Sequence, residues 1–182
     1  NAAGNLMFGA NSVAVDPTVI AGKGGDAGWH VDVVPDLVNG LFYVVYRDDS
    51  PSNTGSDNTT LNDTDYVIRY LRCDITSGLQ CDDPVTLGTV GPQGGFPQIE
   101  LVDSNAGSVP LIAYSSNYLA QPEVVIVQCT DDTCATQNAT NVQTTTGYRA
   151  YFTQVVYNPV ASESYIYYLE TSGQPGQNQF GA

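Results

Sequence analysis

The sequence has little positive charge. Of its 182 residues, 5 are lysine or arginine and 19 are aspartate or glutamate, which gives a formal net charge of -14 at pH 7. Nucleic acids and anionic membrane surfaces are bound mainly through clusters of Lys and Arg, so we expect neither as a partner. Long apolar runs are absent too, because no stretch reaches the roughly 18 consecutive apolar residues of a membrane-spanning helix. We therefore predict no membrane insertion.

The side chains of common catalytic sites are equally scarce. The chain has one histidine, His30, and contains no Gly-x-Ser-x-Gly, His-Glu-x-x-His or P-loop motif. A sialidase-type glycosidase would need an arginine triad, an acid and a nucleophile on one face. The chain has only four scattered arginines and no Asp-box. The sequence therefore predicts that the protein is not an enzyme, and a sialidase-like glycosidase is the third hypothesis.

A strand pattern recurs three times along the chain, and no segment shows the periodicity of a helix. Each copy is an alternating strand, a turn rich in Asn, Asp, Gly or Ser, and a second strand that ends near a tyrosine, which are features of a hairpin. The copies are "HVDVVPDLVNGLFYVVYRD" (30–48), "PQIELVDSNAGSVPLIAYSS" (97–116) and "FTQVVYNPVASESYIYYLE" (152–170). The pattern predicts an all-β protein with an internal repeat, marked by Tyr46, Tyr114 and Tyr168.

The first two hairpins are each followed by two further strands. The third strand ends in a cysteine ("YVIRYLRC" or "EVVIVQC"), a turn with a second cysteine follows, and the fourth strand is "PVTLGTVG" or "NVQTTTG". Tandem units of four antiparallel strands are typical of β-propeller blades. The pattern resembles the broad class of extracellular β-propeller repeats whose third strand ends in a "C-x-D-x-C"-like turn, although Trp-Asp and kelch signatures are missing. The predicted fold is all-β, with antiparallel four-stranded, β-propeller-like blades.

The two ends of the chain each match half a blade. We predict one β-propeller-type domain over residues 1–182, with complete blades at 23–90 and 91–146, strands three and four at 1–22, and strands one and two at 147–182. An uncovered sheet edge is an aggregation hazard. We therefore expect the half-blades to be completed by another copy, or by neighbouring repeats of a longer parent chain. Two copies would form a closed six-bladed ring, and a rotation that does not close would give a filament.

The predicted function follows from these half-blades. We expect a non-catalytic extracellular structural protein whose copies complete one another's blades by strand complementation, and we expect deletion of residues 1–22 to prevent assembly. The predicted assembly residues are the apolar side chains of the two half-blades: Leu6, Phe8, Val13, Val15, Val19 and Ile20 in the first, and Tyr165, Tyr167 and Leu169 in the second.

Four cysteines permit three disulfide connectivities. Equivalence of the repeats favours the local pairing, Cys73 with Cys81 and Cys129 with Cys134, in which each bond ties strand three to strand four. Zinc held by two cysteine pairs is the alternative. Disulfides favour an oxidising compartment, so we predict a protein that is secreted or lies on the cell surface.

Three N-glycosylation sequons support the same location. Their acceptors are Asn58, Asn62 and Asn138. Two of them lie in the insertion at 47–65, whose aspartates could instead bind calcium: Asp48, Asp49, Asp57, Asp63 and Asp65. A solvated, glycosylated loop is the favoured interpretation, so no cofactor and no metal ligand are predicted.

Strand alternation places the connections from strand two to three, and from strand four to the next strand one, on the same face. This face is predicted to collect Trp29, His30, Phe96, Tyr118, Tyr148 and Arg149. Aromatic rings can stack on sugars, so a lectin-like propeller that binds glycans is the second hypothesis. Packing of Trp29 between blades and a hydrogen-bonded, non-catalytic His30 are the alternatives.

Overall fold

In a computed structural model of the protein, the described residues are 27–48, 66–76, 80–91, 94–104, 107–116, 122–145, 147–171 and 178–181. Every helix or strand in these ranges is a β-strand, and every strand pairing is antiparallel. The predicted all-β, antiparallel class is therefore confirmed. The described strands form three separate sheets and not a closed propeller or barrel.

The first sheet contains β1 (Ala27–Asp36), β2 (Leu41–Asp48), β3 (Tyr66–Asp74), β4 (Gln80–Cys81) and β5 (Val85–Val90). Strands β1, β2 and β3 are neighbours in that order, and both β4 and β5 pair with β3. The predicted fourth strand, "PVTLGTVG", corresponds to β5, whereas the two-residue strand β4 in the cysteine-containing turn was not predicted. Pro84, which lies between β4 and β5, has no backbone N–H to donate to a strand ladder.

The second sheet has four strands in chain order, as its sequence pattern suggests: β6 (Gly95–Ser104), β7 (Gly107–Ser116), β8 (Glu123–Cys129) and β9 (Gln137–Gln143). Strand β9 begins earlier than predicted, because Gln137 already pairs with Cys129.

The third sheet contains β10 (Arg149–Asn158), β11 (Glu163–Thr171) and β12 (Asn178–Gly181). Only two strands were predicted here, and this prediction was wrong because β12 pairs with the last four residues of β11. The segment "NQFG" of β12 shows no alternation of apolar and polar residues, which is why the sequence did not reveal this strand. The rest of the β11 edge, residues 163–167, has no partner strand other than β10 among the described residues.

The three sheets pack in chain order through their first strands. Strands β1 and β2 contact β6, and β10 contacts β6 and β7. The core between the first two sheets includes Tyr43, Val45, Ile68, Ile112 and Val127. A second core, between the last two sheets, consists of Val102, Val109, Leu111, Ala113 and Val155. Alternate residues of a strand point to opposite faces, so β2 supplies a third cluster, with Phe42 and Val44, on the outer face of the first sheet.

Polar side chains also join the first sheet to the cysteine-containing turn of the second. Arg72 donates from Nη1 to a carboxylate oxygen of Asp132 at 2.7 Å and from Nε to Asp82 at 2.7 Å. These bonds raise the pKa of Arg72. The Tyr70 hydroxyl donates to the backbone carbonyl of Asp132. The turn is thereby held against β3.

The β1–β2 and β10–β11 hairpins have turns of the same construction. The side-chain oxygens of Asp36 and Asn158 accept hydrogen bonds from backbone N–H groups two and three residues later, at 3.1 to 3.3 Å. Asp and Asn commonly close turns in this way. The last residue of each turn has a positive φ, 67° at Gly40 and 54° at Ser162. The hairpin repeat seen in the sequence therefore extends to its turn geometry.

Candidate assembly surface

The first strand of every sheet contains the same β-bulge. One aromatic or imidazole residue in each bulge has a positive φ: 49° at His30, 50° at Phe96 and 52° at Phe152. This conformation costs a non-glycine residue roughly 1–2 kcal/mol. Its recurrence at equivalent positions marks it as part of the repeat. The strand register shifts between Trp29 and Asp32, Gly95 and Gln98, and Tyr151 and Gln154.

The bulges bring three rings, one from each sheet, into one stack. The ring centroids of His30 and Phe96 lie 4.1 Å apart in a stacked arrangement, and those of Phe96 and Phe152 lie 4.8 Å apart and tilted. Tyr151 makes an edge contact with Phe96 at 5.6 Å. We call His30, Phe96 and Phe152 the ring stack. Its last member, Phe152, is 64% exposed.

The structure thus places two of the predicted ligand-binding residues, His30 and Phe96, in direct contact. Tyr148 and Arg149 lie just before and at the start of β10. Tyr118 and the side chain of Trp29 lie outside the described residues. Sequence reasoning missed Tyr151 and Phe152, although aligning "GWHVD", "GGFPQ" and "AYFTQ" around the bulge would have found both.

The first and second sheets each turn one face toward the next sheet in the chain, and we call this face, together with the equivalent face of the third sheet, the forward face. In the first sheet this face includes Tyr43 and Val45, both buried against the second sheet. In the second sheet the equivalent residues are Leu111 and Ala113, buried against the third. Burial raises the pKa of Tyr43 to about 12. Both internal interfaces are therefore built on the same two positions of the second strand.

The forward face of the third sheet is exposed. Tyr165 and Tyr167 are 43% and 46% exposed, and Val156, paired with Tyr165, is 43% exposed. Leu169, the next alternate residue on β11, is half-buried. Three predicted assembly residues thus lie on β11, along the face that is turned away from the second sheet. The other six, Leu6, Phe8, Val13, Val15, Val19 and Ile20, lie outside the described residues.

The opposite, or backward, face of the first sheet is open along β1. Val31 and Val33 are 44% and 36% exposed. In the register after the bulge, Val33 occupies the position of Ile99 and Val155, which are both buried at internal interfaces. On β2 the same face is covered, because Val44 is buried. The exposed apolar residues of the backward face therefore lie on β1 and not on β2.

Polar contacts cross the internal interfaces beside the bulges. Asp32 accepts a hydrogen bond from the backbone N–H of Ile99 at 2.9 Å. Arg47 donates to the carbonyl of Gly94 at 2.6 Å. At the second interface, the Thr153 hydroxyl lies 3.1 Å from the carbonyl oxygen of Ala113. Backbone groups near each bulge are thus satisfied by the neighbouring sheet.

Two buried acidic residues lie at equivalent positions near the ends of β2 and β11. Asp48 ends β2 and forms an ion pair with Arg69, with 3.0 Å between Nε and a carboxylate oxygen. Glu170, at the equivalent position of β11, accepts a hydrogen bond from the backbone N–H of Thr145 at 3.1 Å. Both acids are buried. Each therefore anchors a strand end to a neighbouring segment of the chain.

No group of three or more His, Cys, Asp or Glu side chains able to hold a metal ion occurs in the described ranges. Of the aspartates considered for calcium, Asp48 is paired with Arg69. The others, Asp49, Asp57, Asp63 and Asp65, lie outside the described residues. Asp131 is engaged in turn chemistry, since hydrogen bonds from Thr133 lower the pKa of its carboxyl.

All four cysteines form disulfides, in the local pairing that the repeat favours. Cys73 and Cys81 face each other across β3 and β4, and the bond between Cys129 and Cys134 closes the turn before β9. No free cysteine remains to bind zinc. Two disulfides indicate a non-reducing environment.

The predicted glycosylation acceptor Asn138 is exposed on β9. Asn58 and Asn62 lie outside the described residues. The part of the chain that the structure covers contains no helix with the length and hydropathy needed to cross a membrane.

Comparison of the chain with protein-family models, with curated proteins and with solved structures finds no match.

Proposed function

We propose that the protein is a non-catalytic, extracellular structural protein whose copies join head to tail as successive groups of propeller-type blades. One observation carries the proposal. The equivalents of Tyr165 and Tyr167, which are exposed on the third sheet, and of Val33, which is exposed on β1, are buried at the internal interfaces. The two ends of the sheet series thus present complementary halves of one repeated interface.

The exposed side chains alone would give a weak contact. Burying a large apolar side chain completely contributes about 1.5–3 kcal/mol, and Val31, Val33, Val156, Tyr165 and Tyr167 are already half-covered. Association itself costs at least about 4 kcal/mol. The proposal therefore includes strand pairing along residues 163–167 of β11, where a strand from another copy would add backbone hydrogen bonds.

A contact between two different surfaces of the same chain is heterologous. Such a contact produces a closed ring when the rotation between copies closes and a filament when it does not. The two disulfides and the exposed sequon at Asn138 support an extracellular location for either assembly.

The direct test is light scattering of the intact chain, with negative-stain images of the same sample. We expect discrete particles or filaments for the unchanged protein. A Tyr167→Glu variant should lose assembly, because it places a charge in the contact. The matched control is Val160→Glu, at the tip of the β10–β11 turn, where the side chain is 96% exposed and outside the proposed contact. A chain that stays monomeric at all concentrations would overturn the proposal.

Mixing two defective variants tests the head-to-tail polarity. Tyr167→Glu removes the forward surface and Val33→Glu removes the backward surface, so neither variant should assemble alone. Together they retain one intact junction, and the mixture should form dimers only. Assembly by either variant alone would show that these faces are not the contact.

Carbohydrate binding is the second candidate, and the exposed ring of Phe152 favours it. A ring of this kind can stack on the apolar face of a sugar. The two candidates differ in what covers Phe152, a second copy or a glycan. Binding to a glycan array that is abolished by Phe152→Ala, without any assembly, would favour the second.

A further inference from the structure

At each internal interface of the molecule, a ring contact joins the two bulges. His30 of the first sheet meets Phe96 of the second, and Phe96 meets Phe152 of the third. Both contacts are made at the residue of the bulge that has a positive φ. The bulge turns the side chain out of the strand's usual alternation, so that it reaches the neighbouring sheet. The ring contact is therefore as much a part of the repeated interface as the apolar core beneath it.

Among the described residues, the ring stack runs from His30 to Phe152, and both of these residues are exposed. His30 is exposed at one end, and Phe152 is 64% exposed at the other. Phe152 lies beside the open forward face of the third sheet, and His30 lies beside the open part of β1. Each end of the stack thus coincides with one half of the proposed junction. A planar imidazole and a phenyl ring already stack in this protein, since His30 and Phe96 are inclined by only 24°.

We infer that Phe152 of one copy stacks on His30 of the next copy, so that the ring stack continues across the junction. The inference rests on the proposed function and names the side chains that meet there. It also determines the register: the bulge of β10 in one copy lies level with the bulge of β1 in the next. In a closed ring the aromatic side chains would form a continuous collar, and in a filament they would form an unbroken column.

Cysteine cross-linking tests this contact directly. Chains carrying Phe152→Cys are mixed with chains carrying His30→Cys, treated with a short bis-maleimide and analysed by non-reducing electrophoresis and mass spectrometry. All four native cysteines are in disulfides, so they do not compete for the reagent. The double variants His30→Cys/Phe96→Cys and Phe96→Cys/Phe152→Cys, whose sites are neighbours within one chain, calibrate the yield.

We expect cross-linked dimers between the two different variants, with a yield similar to that of the calibrating pairs. Light scattering of the same samples separates the two hypotheses. Particles that form without a cross-link between these positions would overturn the ring contact and leave the assembly proposal standing. Cross-links between two Phe152→Cys chains would show that two third sheets meet face to face, which contradicts the inference. An absence of particles would overturn both.

A second readout is the concentration at which half of the chains are assembled. Loss of an aromatic pair should raise this concentration roughly tenfold for Phe152→Ala. The control Val38→Ala removes an exposed side chain in the β1–β2 turn and should leave the concentration unchanged. Equal effects of the two substitutions would contradict the inference.

Discussion

Tyr167 of the third sheet and Val45 of the first sheet occupy the same position in their hairpins. Each pairs with the residue that directly follows the bulge, Gln154 or Asp32. Val45 is completely buried between two sheets, whereas Tyr167 is 46% exposed. The two hairpins are equivalent, but among the described residues another sheet packs on the forward face of the first sheet and none packs on that of the third.

The two positions should therefore respond differently to a charge. Val45→Glu would bury a carboxylate without a partner and should lower the free energy of unfolding by more than about 4 kcal/mol. Tyr167→Glu should change the stability of the monomer by less than about 1 kcal/mol. Urea unfolding followed by circular dichroism measures both. A large loss for Tyr167→Glu would mean that the residue supports the fold within one chain.

Alkaline pH should weaken the fold through its buried tyrosines. Burial raises the pKa of Tyr43 to about 12, from an ordinary value of 10.0, and it also raises the pKa of Tyr46 and Tyr70. Because the folded chain holds these protons more tightly than the unfolded chain, the stabilisation is complete below about pH 10 and is lost as the pH rises toward the folded pKa.

Urea midpoints measured from about pH 8 to about pH 11 test this prediction. The Tyr43→Phe variant keeps the ring and removes one ionisable group, so its stability should fall less steeply above about pH 10. Identical slopes for the variant and the unchanged protein would show that Tyr43 ionises normally in the folded state.

The ion pair between Asp48 and Arg69 should contribute more than the pair between Asp82 and Arg72. The Asp48 side chain is fully buried, whereas that of Asp82 is 51% exposed. Asp48→Ala leaves a half-buried guanidinium without this carboxylate and should cost about 3 kcal/mol. Asp82→Ala should cost about 1 kcal/mol or less. Thermal unfolding at low and high salt measures the stability of both variants. Equal destabilisation of the two would contradict this ranking of the ion pairs.

Ser162→Gly should stabilise the β10–β11 hairpin. Ser162 has a φ of 54°, the conformation that Gly40 adopts in the equivalent turn, and glycine enters it without the steric cost. We expect a gain of about 1 kcal/mol in the free energy of unfolding. Ala161→Gly, one residue earlier, is the control and should give no gain. If Ser162→Gly and Ala161→Gly changed the free energy of unfolding equally, the cause would be general flexibility of the turn and not the conformation of Ser162.

Removal of the disulfides should show their different surroundings. Each closes a short loop. By reducing the conformational entropy of the unfolded chain, each should raise the free energy of unfolding by roughly 2 to 2.5 kcal/mol. Cys129 and Cys134 also belong to the core between the first and second sheets, whereas Cys73 belongs to the smaller outer cluster. The double Cys→Ala variant at 129 and 134 should therefore lose more stability than the one at 73 and 81. Calorimetry that ranked them in the opposite order would contradict this.

Much of the fold could be predicted because its signals are local. Apolar alternation over a few residues determines a strand, and a cysteine pair at the same place in two repeats favours local disulfides. The hairpin turns were recognisable from residues such as Asp36 and Asn158. The predictions failed where the local signal was weak, as for the two residues of β4 and the four residues of β12.

The sequence by itself determined the all-β repeat, its hairpins and its cysteine pairs, because each depends on residues close together in the chain. Only the tertiary structure decided which faces are covered and which rings meet. His30, Phe96 and Phe152 come from three different sheets, and nothing in their local sequence specifies a contact between them. Their stacking requires three bulges of the same geometry and sheets packed in chain order, because alternation along a strand defines two faces without showing which one acquires a neighbour.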